Sequence, residues 1–211
     1  MAGMRPVPLP ETGKLLKKLP GKYAALAAIG IATGCRISEL LQLRRSDLID
    51  AGGNLKDRIK FIVLKTHSDH VIHRQLKIPP ALQGYVIRHL TDDQRRGFDR
   101  PDGYVFRGTL NRALNRRQCS RTFHQLLGPG YGTHWMRKTF AVEIYKYFLA
   151  ENNPDPLYAL DQTRQALNHK RLETTIKYLN IQYHKIDAAQ ASVFTRENIF
   201  NAKRKEKSCR Q

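Results

Sequence analysis

Apolar residues recur at helical spacing from Glu11 to Leu19 and again from Lys22 to Thr33, with Pro20-Gly21 breaking the pattern between them. Ile37, Leu40, Leu41 and Leu43 share one side, which predicts a short amphipathic helix over Ile37 to Leu43. The character changes after Asp47. Ala51-Gly52-Gly53-Asn54 is a turn cluster, Ile59 to Leu64 has the composition of a strand, and Val71 to Ile78 reads as a second strand stopped by Pro79-Pro80. Lys65 to His70 then forms the tip of a hairpin, polar and positive. Helical patterning resumes after Pro80, predicting helices at Ala81 to Leu90, Leu110 to Leu127, His134 to Ala150, Pro156 to Leu167 and Leu172 to Leu179. In the third of these, Arg137, Phe140, Ala141, Ile144 and Phe148 recur at i, i+3, i+4 and i+7, so a core-facing stripe is expected. One more helix is expected after Asp187, then a basic tail, Lys203-Arg204-Lys205-Glu206-Lys207. The pattern predicts a mainly α fold with a small antiparallel β-sheet, an α+β class, as one domain over residues 1–200 and a flexible basic tail over 201–211.

Charge narrows the partner. The chain of 211 residues carries 37 Lys and Arg against 18 Asp and Glu, a formal charge of +19, and such an excess calls for a polyanion. Nucleic acid fits. An anionic membrane fits less well, because the longest mostly apolar run, Tyr23 to Ile31, is far short of the roughly 18 apolar residues of a span and reads as core. The opening MAGMRPVPLPETG lacks the apolar segment and cleavage site of a secretory signal, so a cytoplasmic location is expected. Cys35, Cys119 and Cys209 have no CxxC spacing and suggest neither a disulfide framework nor a thiolate zinc site.

Three short segments carry candidate chemistry. In Thr33-Gly34-Cys35-Arg36, the arginine follows a helix-ending glycine and opens the next helix, where a guanidinium joins exposed N–H groups in holding a phosphate. Read alone, Arg36 fits an ordinary surface arginine equally well. His134 and Arg137 share a helix face at i and i+3, with Gly132-Thr133 as the expected cap; the bland alternative is a solvated pair. His169 ends one helix and Tyr178 lies near the end of the next, so both can converge on one phosphate, or Tyr178 is simply a core tyrosine.

Jointly and in this order, the segments resemble a known family. TGCRISELLQLRRSDL resembles the first-arginine box of the tyrosine recombinases (phage integrases), HWMRKTFA resembles their His-x-x-Arg box, and ALNHKRLETTIKYL resembles their Leu-Gly-His…Thr-x-x-Tyr box. The resemblance spans Glu11 to Ile186, with Lys65 in Val63-Leu64-Lys65-Thr66 matching the family's hairpin lysine. It implies a catalytic set of Arg36, Lys65, His134, Arg137, His169 and Tyr178, the integrase catalytic-domain fold, and site-specific recombination of double-stranded DNA through a 3′-phosphotyrosyl intermediate, without cofactor, metal or ATP. Asn168 stands where the family has glycine, and Met136-Arg137-Lys138 where it has Leu-Arg-His. The resemblance further implies a tetramer on paired sites, with the segment Ile186 to Phe200 packing into a neighbouring protomer. The first box begins so early that the family's amino-terminal clamping domain is not expected, as in a catalytic fragment or a short stand-alone member.

The chemistry agrees with that transfer. A phenol with a reference pKa of about 10 needs cationic neighbours and a proton acceptor to act as a nucleophile. Arg36 and Arg137 are expected on the non-bridging oxygens, His134 as the base, Lys65 as the acid for the leaving 5′-oxygen, and His169 as a hydrogen-bond donor to the phosphate. The scattered acids do not suggest a metal nuclease, no GxxxxGK[ST] loop is present, and His67, His70 and His73 would be spread over both strand faces rather than gathered on zinc. Two other outcomes stay open: relaxation of DNA in the manner of type IB topoisomerases, and a DNA-binding regulator without catalysis.

Overall fold

The computed structural model describes residues 6–63, 72–151 and 155–179. Helix α1 (Leu9–Lys17) takes Pro10 in its first turn, where no intrahelical N–H is needed, and buries Thr12 and Leu16 one turn apart. Helix α2 (Gly21–Thr33) is the centre of the molecule. Tyr23 to Ile31 are buried without interruption, as an all-round apolar helix demands. It packs against α5 (Pro80–Arg95) and against α7 (Trp135–Ala150). A Cβ at Gly30 would stand 2.8 Å from Met136 Sδ and 3.1 Å from Met136 Cβ, so glycine lets α2 and α7 close on each other. Gly34 caps α2 in the left-handed region at φ 62°, its N–H donating to the Gly30 carbonyl at 3.0 Å. Two single-turn helices follow, α3 (Ile37–Leu40) and α4 (Arg45–Leu48).

The sheet is a single antiparallel pair, β1 (Ile59–Val63) and β2 (Ile72–Leu76), with Ile59 opposite Leu76 and Val63 opposite Ile72. Ile59 and Phe61 face the core while Lys60 and Ile62 face outward, the period-two pattern of a half-covered strand. The hairpin tip with Lys65, His67 and His70 lies outside the described residues, as does the side chain of His73.

Where the observed helices differ from those expected, local stereochemistry is responsible. Helix α5 runs on past Leu90 to Arg95, and Asp93 in its last turn pairs with Arg107 at 3.0 Å. Helix α6 (Arg116–Leu127) starts six residues later than Leu110, since Leu110 and Asn111 take φ of 53° and 54° and cannot continue a helix; Asn115 then caps α6 by accepting the Arg117 N–H at 2.7 Å. Helix α7 is capped by His134, not by Gly132-Thr133, and no side chain bonds its free N–H groups. Its burial is graded along its length rather than by face: Trp135, Met136, Arg137, Thr139 and Ala141 are buried, whereas Ile144 and Phe148 are only half-buried.

Helix α8 (Pro156–Leu167) begins with Asp155 accepting the Leu157 N–H at 2.8 Å, and α9 (Leu172–Leu179) follows. Two apolar clusters result. The larger gathers α1 to α6 around Leu26, Ile29, Phe61 and Phe106 and includes Trp135 and Met136; the smaller joins Ala141, Leu160, Leu167 and Leu179, with Phe140, Ile176 and Tyr178 packed on it. Helix α7 belongs to both, and the seam between them is where its buried arginine lies. The helix expected after Asp187 and the tail over 201–211 lie outside the described residues. Among the described residues, no helix is long and apolar enough to cross a membrane.

Candidate active site

Arg137 occupies the third position of α7 and is 3% exposed, so its charge has to be met by fixed dipoles or it would be expelled. Two helix ends meet it. Nη1 donates to the carbonyl of Gly34 at the end of α2, and Nη2 donates at 2.7 Å to the carbonyl of Leu167, the last residue of α8. Carbonyls at helix ends lack intrahelical donors and carry the negative pole of the macrodipole, so guanidinium and helix ends satisfy each other. Nη2 also reaches His169 Nε2 at 3.2 Å. Burial and then the neighbouring Arg36 push the Arg137 pKa down, while Tyr178 and Glu39 oppose the shift.

Arg36 arrives beside it because the left-handed turn at Gly34 redirects the chain. Its N–H donates to Glu39 Oε2 at 2.7 Å and its guanidinium pairs with Glu39 Oε1 at 3.1 Å, half of a capping box turned into a clamp. Glu39 is 2% exposed but the Arg36 side chain is 39% exposed, so the carboxylate fixes the arginine from behind and leaves its front open to solvent.

His134 lies near both arginines, half-buried, with Arg116 Nη2 3.5 Å from its Nε2. Burial, then Arg116, Arg137 and Arg36, hold its pKa below the ordinary imidazole value. His169 is placed by Asn168, which ends α8 at φ 52° and lets the His169 N–H return to the Arg164 carbonyl at 3.0 Å. Asparagine tolerates that conformation, which explains how it stands where glycine was expected. Burial, then Arg137 and Arg36, bring the His169 pKa down to about 4. Its Nδ1 lies 3.0 Å from the hydroxyl of buried Thr175.

Tyr178 leans edge-on against the His169 ring, with centroids 5.5 Å apart. Its hydroxyl is buried beside Arg137 and has no acceptor for its proton among the described residues. Burial drives the phenol pKa up to about 12, although Arg137 and Arg36 are near enough to pull against that rise. A buried hydroxyl whose proton has no acceptor is costly, and here its neighbours are two guanidiniums that can donate to its oxygen but cannot accept its proton.

Of the six residues expected in the site, the structure brings five into one electrostatic cluster: Arg36, His134, Arg137, His169 and Tyr178. Lys65 lies outside the described residues. Three more residues join them: Glu39, Thr175 and Arg116. Glu39 was findable, since a carboxylate three residues after a helix-opening residue is a capping signal. Thr175 is the threonine of the Thr-x-x-Tyr box, but its contact with His169 and that of Arg116 with His134 depend on side chains from other elements. No group of three or more His, Cys, Asp or Glu stands ready to hold a metal ion among the described residues.

Comparison with known proteins now bears on this geometry. XerH site-specific recombinase bound to palindromic difH substrate superposes with a TM-score of 0.60 at 18% identity, covering 89% of this chain and 53% of that one. XerA recombinase gives 0.62 at 18% identity over 93% and 67%, and a lambda integrase dimer bound to a COC′ core site gives 0.54 at 13% over 85% and 60%. The chain thus spans about half the length of XerH and about two thirds of XerA. At these identities the likeness is one of fold: the helical tyrosine recombinase catalytic domain with its small antiparallel sheet. No curated protein matches the chain in sequence at a significant level. The phage integrase family model does match it, from residue 11 to residue 185, which takes in the arginine of α3, the cleft of α7 and the tyrosine of α9. This chain therefore belongs to the phage integrase family, the tyrosine recombinases.

Proposed function

We propose that the chain cuts and rejoins double-stranded DNA as a site-specific recombinase, through a covalent link between Tyr178 and a 3′-phosphate. The observation that carries this reading is the Tyr178 hydroxyl, buried, with no acceptor for its proton among the described residues, and lying beside Arg137 and Arg36. A phosphate entering the cleft supplies what the hydroxyl and the guanidiniums lack. Helix α7 has no acidic residue in its first turn, so its positive end and Arg137 together favour an anion there. XerH and lambda integrase are seen in complex with DNA, and the +19 charge of this chain suits the same polyanion.

In this reading the exposed front of Arg36 and the donors of Arg137 not taken by carbonyls hold the non-bridging oxygens and stabilise the pentacoordinate transition state. His134, held toward its neutral form by burial and then by its cationic neighbours, takes the phenolic proton as the tyrosine oxygen bonds to phosphorus. The bond from phosphorus to the 5′-oxygen breaks, and Lys65 delivers a proton to that oxygen. The ester left on Tyr178 is attacked by a 5′-hydroxyl in the reverse sense, so rejoining draws on the bond already made. Paired sites call for a multimer, a tetramer in the family's manner.

A nicked suicide duplex tests the chemistry. The wild type should trap a covalent adduct that mass spectrometry maps to Tyr178, and Tyr178→Phe should lose the adduct while still binding DNA. An adduct on Tyr183 instead would displace the assigned nucleophile, and none at all would leave a DNA-binding regulator. Relaxation of a plasmid lacking any recombination site would favour topoisomerase-like action.

A further inference from the structure

Arginine has only N–H donors, so the 3.2 Å approach of Arg137 Nη2 to His169 Nε2 requires a lone pair on that nitrogen. An imidazolium, or the neutral tautomer protonated at Nε2, would set donor against donor. The proton of the neutral ring therefore sits on Nδ1, and the Thr175 hydroxyl 3.0 Å away must accept it, which leaves His169 no free N–H to donate to the phosphate, contrary to the role the resemblance implied. Thr175 is fully buried, on helix α9, three residues before Tyr178. On a helix, residues three apart lie on neighbouring positions of one surface. The helix that presents the phenol thus also holds the hydroxyl that fixes the imidazole touching Arg137.

We propose that Thr175 is a positioning residue for strand cleavage: it locks His169 in the Nδ1–H tautomer, so that Nε2 steers the Arg137 guanidinium, and it ties that setting to the docking of the helix carrying Tyr178. The proposal rests on the recombinase reading above and deepens it. If α9 shifts, the Thr175 to His169 bond breaks with it, and the imidazole is released to the tautomer that repels Arg137. Nucleophile placement and phosphate-site order then rise and fall together, without Thr175 touching the substrate. The low pKa of His169 accords with a ring held neutral between a cation and an acceptor.

The test uses the full chain with ¹⁵N-labelled histidine, assigning the His169 ring among the 8 histidines by difference from His169→Gln. Wild type should show an Nδ1–H ring. Thr175→Val keeps the shape and removes the acceptor; the ring should move to the Nε2–H or a mixed form, and adduct formation on suicide DNA should fall roughly 10- to 100-fold, the range seen when the partner orienting a metal-bound histidine is lost. DNA affinity should hold, and Thr175→Ser should restore both the tautomer and most of the rate. A wild-type ring protonated at Nε2, or a Thr175→Val variant that cleaves as wild type does, overturns the proposal. So does a slow Thr175→Val variant whose His169 remains Nδ1–H, since the role is then merely structural. If Thr175→Val fails to fold, the wild-type spectrum and the Ser variant still decide: a Ser variant with an altered tautomer and full rate also overturns it. Absence of any adduct from wild type, with the Nδ1–H ring in place, would sink the recombinase reading and spare the tautomer assignment.

Discussion

Gly34 bears two constraints at once. Its φ of 62° disfavours any side chain, and an added Cβ would fall 2.3 Å from Phe140 Cδ1, inside the ring's own volume. Left-handed strain of about 1–2 kcal/mol and overpacking of about 1–3 kcal/mol predict that Gly34→Ala lowers the melting temperature by several degrees. Because the Gly34 carbonyl holds Arg137, adduct formation should drop more steeply than stability. Arg36 is the reverse case, partly exposed and outside the core, so Arg36→Lys, which keeps a cation beside the buried Glu39 but loses the forked donors, should melt close to wild type yet cleave about 10²- to 10³-fold more slowly. The acid limb of cleavage belongs to this scale too. Second-order rate constants report the free enzyme, where a base fails once it is protonated. With His134 held below its ordinary value, cleavage should persist as pH falls through 6.5 and decline only beneath it. Arg116→Ala removes one of the cations responsible, and its limb should move toward higher pH in a side-by-side rate profile.

Elements enter through their ends. Helices α2 and α8 finish in left-handed residues, Gly34 and Asn168, and each then offers a carbonyl from its last turn or cap to the same guanidinium. At Asn168 the constraint is conformational: with φ at 52°, Asn168→Gly should leave the denaturation midpoint nearly unchanged, while Asn168→Val should cost about 1–2 kcal/mol. An equal loss in both variants would mean that the asparagine side chain, not the backbone turn, is what matters there. Local patterning had placed nearly all of these helices, because an apolar repeat and a Gly or Asn stop are properties of adjacent residues. It misplaced the start of α6, where Leu110 and Asn111 adopt a left-handed turn that neither residue announces. It also assigned α7 a single apolar stripe, since periodicity shows a preferred face but not a helix wedged between two clusters.

Over the whole molecule, the charge of +19 sets how the chain meets its partner. If binding neutralises about 6–10 phosphates, affinity should fall by about 10³- to 10⁵-fold between 50 and 200 mM salt, and a flat titration would remove DNA as the ligand. Removal of residues 186–200, which lie outside the described residues, should spare single-strand cleavage and abolish synapsis of paired sites if that segment packs in trans. What the architecture contributes is a seam. Arg36 precedes α3, which packs in the larger apolar cluster; His169 follows α8 and Tyr178 lies on α9, both helices of the smaller; and α7 runs through both.

The amino-acid sequence alone determined the helical class with its one hairpin, the ends of most elements, and the order of the three boxes, for those are written in the spacing of neighbours and in residue types. It named Arg36, His134, Arg137, His169 and Tyr178 without showing that they meet. Tertiary packing decided the rest: the two helix-end carbonyls on Arg137, the Thr175 hydroxyl on His169, and the Tyr178 hydroxyl left without an acceptor among the described residues. The reason is physical. Hydrogen bonds and desolvation depend on which distant groups share a few cubic ångströms, and only the folded chain brings those groups together.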